Sequence, residues 1–379
     1  MPPSKTTCQK RRPRIGALAA FCMVGMLAPS VPAHVISIVH GTALVFPDRI
    51  DVELTVNAED FVHYYGASAA QGDSRSDAAI ERAAVRHADH LFEHFIIRDV
   101  DGERLSGRVV SFDTIPVEAA STENGSRHSR IVYLLEYSLT APPRYLSFQQ
   151  TLGSGDAGLP SQLYLDVRTE DNEESTALRL TSGGNVETLK LHWPNGARSG
   201  DRSEIVGPLE ELKSIATRVE IDDAGTRVLI DLPVPLLETF LPVRRTGRDF
   251  LESSEHLAAQ RAIEEFLHGR LPMQINGRHV EPHATSLNFL DLEPDGAANS
   301  ARRQRRSAWT TRVRVVQSYP TLSMPQAIEL QWTLFNPLVL EVQAVIACGH
   351  RESIHRLSTY DPILRWTSAA SGVVARSLR

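Results

Sequence analysis

The chain has 379 residues, 42% of them hydrophobic and 23% charged, with a formal net charge of −6. These proportions match soluble globular proteins and exclude a disordered chain, a collagen-like fibre and a multi-span membrane protein. At ~150 residues per unit, the length predicts two or three units.

The first segment reads as an export signal, residues 1–33. Lys5, Lys10, Arg11, Arg12 and Arg14 form a basic start with no acidic residue among them. The apolar run at 15–28, IGALAAFCMVGMLA, is short for a membrane span, and Val31-Pro32-Ala33 offers small residues at a cleavage site before His34. The expected location is periplasmic or extracellular, with an uncleaved signal anchor as the alternative. Without those five basic residues, 35 basic side chains face 46 acidic ones, a net charge of −11. Such a domain repels nucleic acid and anionic membrane, so neither is an expected partner. After signal removal no transmembrane helix is expected. Cys348 is the one cysteine left, so each core is expected to hold by burial and not by disulfides.

The rest of the sequence is self-similar. Residues 143–152, PRYLSFQQTL, match residues 325–334, PQAIELQWTL. DVDGERL at 99–105 parallels QINGRHV at 274–280, and Pro160 pairs with Pro337. Arg179-Leu180-Thr181 pairs with Arg356-Leu357-Ser358, and the copies close on Trp193 and Trp366. A collinear series of this kind predicts an internal duplication. Each copy opens with a hairpin, 35–45 with 50–56 and 216–221 with 227–232. A helix follows, at 77–95 and 254–268. Strands come next, with alternating apolar residues such as Val132, Leu134 and Tyr137, or Val313, Val315 and Tyr319. The predicted fold is mainly β with one helix per repeat, arranged as two tandem duplicated antiparallel β-sandwich-like domains. The predicted boundaries are 34–193 for the first repeat, 194–213 for a linker, 214–370 for the second repeat and 371–379 for a tail. Polar loops are expected at 119–129 and 293–307.

Histidines supply the candidate chemistry. His87, His90 and His94 fall at i, i+3 and i+7 of the first helix, within an arc of about 60°. Imidazoles so placed suit Zn, Ni or Cu. The helix's apolar stripe is Ile80, Ala84, Ala88, Leu91 and Phe95, which sets His87 and His94 at its border and His90 further out. His34 would become the mature N-terminus, where α-amine and imidazole together chelate copper, with His40 or His63 as a further ligand. Other patterns point to structure. Gly153-Ser-Gly155-Asp-Ala-Gly158 precedes a strand and not a helix, so it is a strand-linking loop and not a dinucleotide site. Cys348 with His350 and His355, the acidic run 170–174 and the basic run 302–306 read as a buried thiol, a turn and a solvated loop. The sequence has no H-E-x-x-H, G-x-S-x-G or P-loop.

The opening HVISIVHGTALVF, a turn and DVELTV resemble the extracytoplasmic β-rich region of HupE/UreJ-type metal permeases. The resemblance extends from these strands toward Trp193 and implies an exported β-sandwich in a metal-related or membrane-complex setting. That family's transport chemistry is associated with membrane helices absent here, so no functional residue carries over. Duplication without a shared catalytic motif predicts a non-enzymatic binding or scaffold protein with an unknown protein or cell-envelope partner. The alternatives are a transition-metal-binding protein and a loop-built hydrolase or polysaccharide-active enzyme.

Overall fold

The alternation in the sequence becomes pleated strands with one buried face. In the first hairpin, Ile50, Val52, Leu54 and Val56 are all buried while the residues between them reach outward. The computed structural model describes residues 37–57, 77–117, 128–153, 161–193, 203–292 and 305–368. The strands are β1 (Ser37–Val45), β2 (Arg49–Asn57), β3 (Phe95–Arg98), β4 (Gly107–Val117) and β5 (His128–Ser138). After them come β6 (Tyr145–Gln150), β7 (Ser161–Thr169), β8 (Thr176–Thr181), β9 (Val186–His192) and β10 (Glu204–Pro208). Helix α1 (Asp77–His94) runs directly into β3.

The second half begins with β11 (Ala216–Asp222) and β12 (Gly225–Pro233), then α2 (Val234–Leu237), β13 (Phe250–Glu252) and α3 (Ser253–Leu267). Next are β14 (Met273–Ile275), β15 (Arg278–Val280), β16 (Ala284–Leu290), β17 (Arg305–Ser307) and β18 (Arg312–Pro320). It ends with β19 (Ala327–Gln331), β20 (Glu341–Cys348), β21 (Arg351–Ser358) and β22 (Ile363–Thr367). Glu255 starts α3 by accepting from the Glu252 backbone N–H at 2.9 Å, which satisfies a group outside the helical ladder.

The protein is mainly β. One six-stranded sheet has the order β4-β5-β2-β1-β7-β8 and the other β16-β18-β12-β11-β20-β21. Position by position the two orders agree. The four-stranded sheets are β10-β9-β6-β3 and β15-β14-β19-β22, and β13 pairs with β17. Two separate clusters of buried side chains lie in one unit that spans Ser37–Arg379. Each draws on a six-stranded and a four-stranded sheet, with Ala84 and Leu91 of α1 in the first. The second holds both Val234 and Leu237 of α2 and Ala259, Ile263 and Leu267 of α3, so two helices stand there in place of the expected one.

Several details depart from the sequence reading. The sheets are not wholly antiparallel, because β1 runs parallel to β7 and β11 parallel to β20. Parallel neighbours need a long crossover, and the intervening chain supplies it by way of the helix and the smaller sheet. The expected linker contains β10, which pairs with β9 and so extends the first half's smaller sheet. The expected loop at 293–307 ends in β17, and Arg306 is buried against Asp291. On β5 the buried residues are Ile131, Tyr133, Leu135 and Tyr137, whereas Leu134 faces outward.

The halves meet at Asp249. Its carboxylate accepts from Arg98 Nη2 at 2.8 Å, Arg104 Nε at 3.1 Å and Trp309 Nε1 at 2.9 Å. The Arg98 side chain is 1% exposed and its guanidinium lies 5.0 Å from the Trp309 ring centre. Beside it, Arg305 pairs with Glu103 across the same junction. Gly102, at φ 82°, allows the 99–103 turn to approach β17, since a Cβ there would stand 2.4 Å from Ser307 Oγ.

Candidate metal centre

The histidines of α1 sit where the helix becomes a strand. Leu91 and Phe95 are fully buried and anchor the last turn in the first core. β3 pairs with β6, and the Thr151 N–H continues that ladder by donating to the His94 carbonyl at 2.8 Å. The backbone of His94 is therefore fixed by the sheet as well as by the helix. Thr151 also holds the ring, with His94 Nδ1 and Thr151 Oγ1 2.8 Å apart. In the tautomer that donates from Nδ1, Nε2 keeps its lone pair and a fixed direction.

His90 precedes His94 by one helical turn, and their ring centres are 4.0 Å apart. Glu93 lies between them in sequence, on the exposed side. One donor atom each from His90, Glu93 and His94 all fall within 4.8 Å of one another. Two imidazoles and a carboxylate at that spacing form a ligand set for Zn²⁺, Ni²⁺ or Cu²⁺, with coordination positions left for water. Glu93 and His94 lie in the last helical turn, where the backbone carbonyls favour a cation. Burial, followed by the neighbouring His94, lowers the His90 pKa against the opposing effect of Glu93, and the neutral ring is the ligating form.

His87 is positioned differently from its expected place at the stripe's border. It is 2% exposed, 5.5 Å from the Tyr133 ring and 6.0 Å from His90. Its pKa falls to about 3, chiefly through burial and then through His90 and His94. The structure thus brings together His90 and His94, and leaves His87 behind them in the core. Tyr133 closes this side by donating to the Ala84 carbonyl at 3.0 Å.

His34 and His63 lie outside the described residues. His40 is exposed on β1 and stacks on Tyr164 with ring centres 5.6 Å apart. Cys348 ends β20 opposite Arg351, whereas His355 pairs with Ala344. Four residues of strand, ~13 Å, therefore separate that thiol from His355 along the sheet. The 170–174 run is a turn in which Asn172 Oδ1 accepts from the Glu174 N–H at 3.0 Å.

Glu93 is the member that the sequence reading missed. Its signal was present as His90-Leu-Phe-Glu-His94, an H-x-x-E-H spacing that is the reverse of the H-E-x-x-H pattern sought. Either order groups the three side chains on one helical face. No protein-family model matches the chain, and no curated protein matches it.

Proposed function

We propose that this is an exported transition-metal-binding protein, built from two duplicated β-sandwich repeats, that holds one ion between His90, Glu93 and His94. The observation that carries this reading is the convergence of the three donor atoms within 4.8 Å, with His94 already oriented by Thr151. A ligand whose second nitrogen is held by a neighbouring oxygen loses less freedom on binding. The agreement of strand order between the larger sheets supports the duplication. The resemblance of the opening strands to HupE/UreJ-type proteins fits a metal-related setting.

The bound ion would be held at one edge of the first repeat, half open to solvent, which suits carriage or buffering better than a closed structural site. The test is calorimetric titration of the full chain with Zn²⁺, Ni²⁺ and Cu²⁺. One equivalent should bind, and His90→Ala or His94→Ala should abolish that event. Unchanged binding in both variants would remove the reading.

A second reading, a binding scaffold for a cell-envelope partner, draws on the Arg98–Asp249 and Arg305–Glu103 pairs that tie the halves into one frame. Pull-down from the native envelope with the full chain, against an Asp249→Ala control, tests it.

A further inference from the structure

The second half carries a cavity beside its longer helix. It has a volume of about 420 Å³ and lies between the end of α3, β15 and the start of β16. Its floor is apolar, with Leu267, Leu271 and the ring of Tyr319 all buried. Two carboxylates, Glu264 and Glu281, stand at its edge. Among the described residues no lysine or arginine lines it. The neighbouring Arg270 is directed elsewhere, with its guanidinium 4.4 Å from the centre of the Phe266 ring. His279 also lines the cavity, 3.0 Å from Glu281.

The hydrogen bonding inside favours a donor. Tyr319 gives its own proton to Gln317 Oε1 at 3.0 Å, so its oxygen presents lone pairs. Burial and then the charge of Glu281 raise the Tyr319 pKa, which keeps the phenol protonated and places it in a negative field. In the first half, Tyr137 holds the place that self-alignment gives Tyr319. There the Phe92 ring lies edge-on to Tyr137 at 5.7 Å, and a Cβ on Gly107 would stand 2.6 Å from Phe92. In the first half Phe92 thus packs directly against the Tyr137 ring.

We infer that this cavity binds an organic cation with an apolar arm, an alkylammonium or alkylguanidinium group. The cationic head sits between Glu264 and Glu281, and the arm lies over Leu267 and Leu271. The volume fits such a group, being near the lower end of small-ligand sites at roughly 300–1,000 Å³. The same head group occurs on free amines and on lysine or arginine side chains, and the chemistry of recognition is shared.

The experiment uses the full chain, with n-pentylammonium and n-butylguanidinium as probes and 1-pentanol as the neutral control. Binding is followed by calorimetry and by shifts of the Leu267 and Leu271 methyl resonances. Saturable binding of the cations, at least about tenfold tighter than the alcohol, is expected. Glu264→Gln with Glu281→Gln should erase that preference, and both sites are exposed enough to leave the fold intact. Nα-acetyl-arginine methylamide and its lysine counterpart form the second arm. Tighter binding of these than of the alkyl cations assigns the cavity to a basic side chain of a polypeptide, and weaker binding assigns it to a free amine. Equal affinity for cation and alcohol, or an unchanged preference in the double variant, overturns the inference.

Discussion

Asp249→Ala is expected to destabilise the protein by about 3–5 kcal/mol, the cost of leaving a buried charge without its partner. Arg98 is 1% exposed, and the Asp249 carboxylate is 2.8 Å from its Nη2. Arg104 has a 49% exposed side chain, so water replaces its lost pair and it adds at most ~1 kcal/mol. The Trp309 N–H loses its acceptor as well, which costs ~1–3 kcal/mol if it remains buried. The larger figure applies if Arg98 stays in place, and the smaller if the junction opens and admits water. The assay is urea denaturation followed by tryptophan fluorescence, since Trp309 stands at the altered contact. Arg98→Met combined with Asp249→Ala completes a double-mutant cycle and should recover much of the loss, because no charge is then stranded. A loss below about 1 kcal/mol in Asp249→Ala, or no coupling in the cycle, would refute the buried-pair account.

Acid should find the same contact. Burial pushes the Asp249 carboxyl up, but the Trp309 N–H and then Arg98 and Arg104 outweigh it and hold the pKa below its ordinary value. A group depressed in the folded state contributes its stability above the unfolded pKa of ~3.9 and loses it as pH falls through the folded value. Asp249→Asn should therefore flatten the acid limb of stability below about pH 4, measured as urea midpoint against pH. Gly102→Ala should cost about 1–3 kcal/mol, from its positive φ and the contact with Ser307, and denaturant midpoints will report it. Thr151→Val should weaken metal affinity about tenfold or more without changing stoichiometry, as read by calorimetry. His87→Ala should leave metal stoichiometry unchanged while lowering stability by about 1–3 kcal/mol, which separates a core histidine from the ligands.

The parts of the fold written locally were legible. Both opening hairpins are bounded by turn residues, and α1 and α3 follow from a 3.6-residue apolar period, whereas the four-residue α2 is too short to show one. The face of β5 was not legible, because Ile-Val-Tyr-Leu-Leu at 131–135 is apolar at both parities and alternation cannot choose between them. The parallel pairing of β1 with β7 has no local signal, as their partners are more than a hundred residues apart. Arg98 and Asp249 are 151 positions apart, and nothing in either neighbourhood marks a buried pair. At the candidate site, helical spacing brought His90 and His94 onto one face. It placed His87 at the border because a helical wheel does not know that Tyr133 covers that side. Glu93 was readable from its spacing. Thr151 was not, because it comes from a strand that only the folded chain brings beside the helix.

X-ray absorption spectroscopy of the full chain loaded with one equivalent of Zn²⁺ tests the proposed centre most directly. The account predicts two imidazole shells and at least one oxygen, with Zn–N distances of about 2.0–2.1 Å. The imidazole signal should be lost in His90→Ala and in His94→Ala, because neither variant holds the ion. A spectrum of oxygen ligands alone, or one unaltered by either substitution, would contradict the assignment of the ion to α1.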